Sequence, residues 1–436
     1  MTIALRLLAA SAVTVVTIGS GASTTAPNQT SSARRPGLYD ANPNHLWNRI
    51  HEQFHVRIAP DGSRYGFDTV DPLLWRETQY LVRGPSAGRA VRVLDEFLAS
   101  NGERMIRDPL KRAVFQHDLW AVFDWLTSVS EGEKTTRTAI MSRLARVIRR
   151  VALSRKNVDA LPDTYAAAIA SGDFADRTGM QQPYLPRDLF NASGPWVTVG
   201  GLATLVPQHS TELGRSAFVV LWSVPGGAAQ TREYLQKLWN FPQPFVVEEM
   251  LRFERDGEVR ASVNPALPSI PDGTRIALVR QMLLIDDSGV IVPSHLIESI
   301  QLRTFPGPAF AELRMSRAAL FAANSGGLRA VPADERDFIT FSAKGMDVLE
   351  QKSWKSGSAA HLPLVLDGCI NCHHVRVEPE LTTVLSLRQM LRPATLVDSR
   401  HDRWARWFTQ SIVAAVAKGR SYEWGVLQGL WQSEPR

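Results

Sequence analysis

The chain has 436 residues, of which 44% are hydrophobic and 21% charged, and it carries a net charge of +6. This balance excludes a disordered polymer and a collagen-like repeat, and two cysteines exclude a disulfide framework. One long apolar stretch, at the N-terminus, excludes a multi-span membrane protein, and the surplus of 49 basic over 43 acidic residues is too thin for a nucleic-acid footprint. An acidic protein partner or peripheral contact with an anionic lipid surface stays open.

The first residues read MTIALRLLAASAVTVVTIGSGAS. Arg6 precedes an apolar run from Leu7 to Ile18, and Ser20, Gly21 and Ala22 follow. A basic start, an apolar middle and a small-residue end describe a signal peptide over 1–22 and an exported, periplasmic or secreted body. The run is shorter than the roughly 20 residues of a spanning helix, although an uncleaved leader would anchor the chain to the membrane. Residues 23–37 are rich in Ser, Thr, Pro and Ala and read as a flexible linker.

Residues 38–172 read as a helical region. HLWNRIHEQFHVRI, PLLWRETQYLV, SAGRAVRVLDEFLAS, PLKRAVFQHDLWAVFDWLTS and EKTTRTAIMSRLARVIRRVAL place apolar residues three and four apart. Pro72, Pro85 and Pro109 suit first-turn positions, with Asp71 and Asp108 as N-caps. Residues 173–335 read as a mixed α/β region with antiparallel strands. SAFVVLWSV is strand-like, and TRIALVRQMLLI-DDSG-VIV reads as a hairpin. HLIESIQLRTF and FAELRMSRAALFAA extend that sheet, and the helix AAQTREYLQKLW interrupts it. In residues 336–436, ELTTVLSLRQML and RHDRWARWFTQSIVAAVAKG are amphipathic, the second with a stripe of Trp404, Trp407, Phe408, Ile412 and Ala415. The fold class expected is therefore α+β and predominantly helical, ending in a helical segment that holds both cysteines.

That segment is DGCINCHHV, where Cys369, Cys372 and His373 form C-x-x-C-H. Two thiols one helical turn apart can add across the two vinyl groups of a porphyrin. The histidine next to the second thiol is then placed to ligate the iron from below. Zinc on Cys369, Cys372, His373 and His374 is disfavoured, because structural zinc draws ligands from two segments. A thioredoxin-like thiol pair expects a βαβ setting that this sequence lacks.

The segment resembles the haem-attachment site of c-type cytochromes with one haem. The resemblance covers at best the last hundred residues. It implies one covalent haem c held by Cys369 and Cys372, with His373 on the metal, electron transfer outside the cytoplasm and a redox partner protein. Its sixth iron position has several candidates: Met390 and His401 downstream, Met346 and His361 upstream, another residue, or none. A filled position suits electron transfer, and an open one suits a haem enzyme or a protein reacting with peroxide or small gases, so the sequence does not decide whether the chain is an enzyme.

A second constellation is His51-Glu52-x-x-His55, the H-E-x-x-H pattern of zinc hydrolases. Glu77 is the third ligand that spacing offers. Against a hydrolase, few residues precede the motif, and a packing pair of histidines accounts for the same pattern. Lesser features are His117 beside Asp118 as a candidate catalytic pair, and the acid-free basic run holding Arg137, Arg143, Arg146, Arg149, Arg150, Arg155 and Lys156. That run is either a docking face or a solvated helix face.

Overall fold

The computed structural model describes residues 37–58, 64–68, 80–82, 84–129, 134–175, 184–199, 215–243, 245–247, 261–305, 309–332, 336–338, 361–363 and 403–433. All of them fall within one compact unit, Pro36–Arg436. The architecture is α+β: helices packed on an antiparallel six-stranded sheet.

The helices of the first half are α1 (Leu46–His55), α2 (Pro85–Ala99), α3 (Pro109–Ser128), α4 (Lys134–Arg150), α5 (Arg155–Asp159) and α6 (Thr164–Ser171). Two two-residue strands, β1 (Arg57–Ile58) and β2 (Arg64–Tyr65), pair after α1. The main sheet runs β10-β9-β8-β7-β4-β3, from β3 (Val197–Val199), β4 (Ser216–Ser223), β7 (Arg275–Ile285), β8 (Ile291–Thr304), β9 (Ala309–Met315) and β10 (Leu328–Ala330). Short pairs β5 (Phe245–Val247) with β6 (Ala261–Val263), and β11 (Arg336–Phe338) with β12 (His361–Pro363), stand apart from it. Helices α7 (Ala228–Trp239), α8 (Arg317–Phe321), α9 (Arg403–Lys418) and α10 (Tyr422–Gln432) complete the order. None of the described helices is long and apolar enough to cross a membrane.

Helix α3 organises the molecule. Asp108 caps it by accepting from the amides of Leu110 and Lys111 at 2.8 and 3.2 Å, and Pro109 opens its first turn. From Ala113 to Asp124 every residue is buried. A helix buried all round belongs in a core rather than on a surface. One side packs into the aromatic cluster of Trp47, Phe97 and Phe115, where Trp47 and Phe115 stack with centroids 4.2 Å apart. The other side meets the sheet, and it carries polar side chains that must find partners there. Gln116 does so by donating to the carbonyls of Ile148 and Ile285 at 3.2 and 2.8 Å and accepting from the Ile285 amide at 3.0 Å. It thereby splices the end of α4 to the end of β7.

The hairpin of β7 and β8 forms where expected, turning through Asp286, whose carboxylate accepts from the amides of Ser288 and Val290. The register shifts near Gln281, and the Thr164 hydroxyl at the start of α6 repairs part of the break. It accepts from the Ile297 amide at 2.8 Å and donates to the His295 carbonyl at 3.1 Å. A second core, of Tyr165, Leu189, Phe190 and Trp196 with Val219, Val279, Ile300 and Leu313, lies between α6, the following loop and the sheet.

Two segments differ from their sequence pattern. FAELRMSRAALFAA is strand only to Met315, because Ser316 accepts from the Ala319 amide at 3.0 Å and caps α8. In α9, Ser411, Ala414, Ala415 and Lys418 are buried while Ile412, Val413 and Val416 are exposed, so Ile412 leaves the expected stripe. Two polar anchors fix that rotation. Ser411 donates to the Gln281 side chain, and the Lys418 ammonium reaches Asp124 of α3 at 2.8 Å. The Pro72 and Asp71 cap and the helix ELTTVLSLRQML lie outside the described residues, as do the side chains of Trp404, Trp407 and Phe408.

Gln116→Leu keeps the volume but leaves the Ile285 amide and two carbonyls without their partner. It should destabilise the fold by about 2–4 kcal/mol, since each orphaned buried group costs about 1–3 kcal/mol. The check is the urea midpoint of the variant against the parent chain.

Candidate functional site

The described structure brings His51, His55 and Asp118 together. Helix α1 places the two histidines one turn apart, on the face that buries Trp47, Ile50 and Phe54. Their ring centroids lie 5.2 Å apart. Helix α3 delivers Asp118 from the opposite side. One donor atom from each residue lies within 4.8 Å of the other two, and all three residues are buried.

The segment preceding α1 is folded back onto it by Asn48. Its side-chain oxygen accepts from the Tyr39 amide at 2.7 Å, and its nitrogen donates to the Asp40 and Asn42 carbonyls. A Cβ on Gly37 would collide with the same Asn48 side chain, so the close approach requires glycine there. This clasp brings the Tyr39 ring edge-on to His51, with centroids 5.7 Å apart.

Two groups outside the trio fix its geometry. The His51 Nε2–H donates to the Phe67 carbonyl at 2.7 Å. A carbonyl only accepts, so Nε2 carries the proton and Nδ1 carries the lone pair. That Nδ1 has no hydrogen-bond partner among the described residues. Arg317, first residue of α8, donates Nε–H and Nη2–H to the two Asp118 oxygens at 2.7 and 2.5 Å. Asp68 ties the two halves together, since its carboxylate accepts from the Ala318 amide at 2.8 Å.

The charges follow from this burial. Burial pushes His51 from its ordinary value of 6.5 to about 4, against the opposing pull of Asp118 and the Phe67 carbonyl. Burial likewise pushes His55 well down. Both imidazoles are therefore neutral at pH 7. Burial alone would raise the Asp118 carboxyl, but the Arg317 charge, the adjacent His117 imidazole and the Arg317 hydrogen bonds hold it far below the usual carboxylate range. Burial and the Asp118 charge push the Tyr39 phenol up.

His117 does not complete an acid–base pair with Asp118. Its Nδ1 lies 3.8 Å from Asp118 and its Nε2 3.7 Å from Glu298, while Ser216 donates to Glu298. Asp118 is turned to Arg317 instead. Spacing alone pointed to Glu77 as the third partner of the histidines, and Glu77 lies outside the described residues. The partner that the fold supplies, Asp118, stood out in sequence only for its place beside His117, not as a partner of His51 and His55. Glu52 is partly exposed on α1.

Cys369, Cys372 and His373, and with them His374, Met346, Met390 and His401, also lie outside the described residues. His361 is described only as backbone, in β12. In the basic run, Arg143 pairs with Asp95 of α2 at 2.7 Å and Arg150 donates to the Leu98 carbonyl at 2.9 Å. Arg137 donates to the Val129 carbonyl and Arg149 lies over the Trp431 ring. No protein-family model, curated protein or solved structure matches the chain.

Two predictions concern this cluster. Arg317→Met leaves Asp118 ionised and buried without its partner, and should cost about 3–5 kcal/mol in urea unfolding. In chelator-treated protein, stability should be full above pH 6.5 and fall between pH 6.5 and about 4. In that window the unfolded chain protonates its histidines while folded His51 does not. Asp118, also depressed, adds loss in the same direction at lower pH. Urea midpoints across this range measure the slope, and a flat profile would contradict neutral buried imidazoles.

Proposed function

We propose that the chain is an exported c-type cytochrome that binds one haem covalently and transfers single electrons. The observation that carries this reading is the sequence Cys369-x-x-Cys372-His373, which uses both cysteines of the chain. The donor set fits the group: two thiols three positions apart for the vinyl carbons, and an adjacent imidazole for the iron. When bound, haem supplies a one-electron iron couple.

The leader over residues 1–22 supports the reading, because it directs the body to a compartment where cysteines of this kind receive haem. Cys369 and Cys372 hold the ring, His373 holds the iron, and a redox partner protein delivers or accepts the electron. The helical and sheet regions before residue 336 form the body that presents this segment.

The test is a spectrum of the purified chain, made in a host competent for haem attachment. Sharp reduced haem bands are expected, with haem staining that survives a denaturing gel and disappears in the Cys369→Ala, Cys372→Ala double variant. A colourless chain overturns the proposal. Electron transfer through an iron whose sixth position is filled further predicts that carbon monoxide leaves the reduced spectrum unchanged. A shifted spectrum would favour the reactive haem alternative.

A further inference from the structure

The His51–His55–Asp118 cluster has features that packing alone does not require. Burying a neutral imidazole costs free energy for any ring nitrogen left without a partner. Here two are buried side by side, both aimed toward a carboxylate from another helix. The tautomer of His51 is set by a backbone carbonyl on its Nε2, which leaves a bare Nδ1 lone pair in a site 1% exposed. A metal-ligating histidine commonly donates its other nitrogen to such a carbonyl or carboxylate, fixing the ring. Asp118 has the matching support, since Arg317 locks its orientation. Its two oxygens offer about four lone-pair positions, so two bonds to Arg317 leave capacity for a cation.

We propose that His51, His55 and Asp118 form a binding site for one divalent transition metal of the zinc class, which joins α1 to α3. The donor types suit it: two imidazoles and one carboxylate are a common zinc set. The inference is independent of the haem reading, because it uses neither cysteine.

Three protein donors leave a fourth position for water, as hydrolytic zinc sites do, but burial of all three closes that position to a substrate, so the role this geometry supports is structural. Metal bound there belongs to the folded state alone, so binding stabilises the fold by mass action. Arg317 sets a limit. Its positive charge beside Asp118 opposes a second cation, so zinc should bind less tightly here than at the tightest structural zinc sites.

The experiment uses the full chain with its haem complement. After prolonged chelation and desalting, zinc is titrated calorimetrically, and zinc and iron are counted by elemental analysis. One zinc per chain is expected, with a thermal midpoint that rises as zinc is added. His55→Gln and Asp118→Asn should each weaken zinc binding by more than the roughly 10–100-fold that loss of an outer-shell partner costs. The Cys369→Ala, Cys372→Ala double variant should still take up one zinc. Failure of the parent chain to bind zinc or cobalt at 100 µM overturns the proposal, whatever the variants do. So does zinc that persists in both ligand variants, or that vanishes with the thiols. A colourless chain that still binds one zinc would sink the haem reading and leave this one standing.

Discussion

The ion pair between Asp118 and Arg317 is the constraint around which the described core is arranged. It is buried on both sides and bidentate. It joins the middle of α3 to the first residue of α8, nearly two hundred positions away in sequence. Such a pair contributes little net stability compared with an apolar substitute, because desolvation consumes most of the attraction. Its consequence is specificity. Asp118 cannot sit in any arrangement that leaves Arg317 elsewhere, so α3, α8 and the 66–68 segment must assemble together.

The same logic extends along α3. Because that helix is enclosed from Ala113 to Asp124, several of its polar residues fix neighbours. Gln116 fixes the ends of α4 and β7, and Asp124 takes Lys418 from α9 and Arg215 from the start of β4. The apolar residues of α3 supply the burial, while the polar ones decide which elements meet where. The histidines of α1 are drawn into this layer by Trp47 and Phe54, and their neutrality follows from having no water to stabilise a charge.

Much of the local structure was legible. The Asp108–Pro109 start, the Pro85 start and the hairpin through Asp286 follow from capping and turn chemistry, which act over a few residues. What could not be read was set by distant partners. The end of β9 depends on a serine cap inside an apolar run, and α9 is rotated by Gln281 and Asp124, which belong to other elements. The histidine pair was visible as H-E-x-x-H, but its third partner was not, since nothing in the spacing of His55 and Asp118 reveals that two helices face each other. Conversely, the C-x-x-C-H segment is explicit in sequence and lies outside the described residues, so its reading rests on the chemistry of five positions.

Two distinct chemistries are thus proposed for the chain: a thiol-anchored haem near its C-terminus, and a metal on the buried donor trio between α1 and α3. The first would define what the protein does, and the second would help hold its body together. Intact mass spectrometry under denaturing conditions tests the first most directly. The account predicts a mature polypeptide without its leader, heavier by one haem, whose extra mass stays with the peptide spanning Cys369 and Cys372 after digestion. A polypeptide of bare mass, with both cysteines free to alkylate, would contradict it.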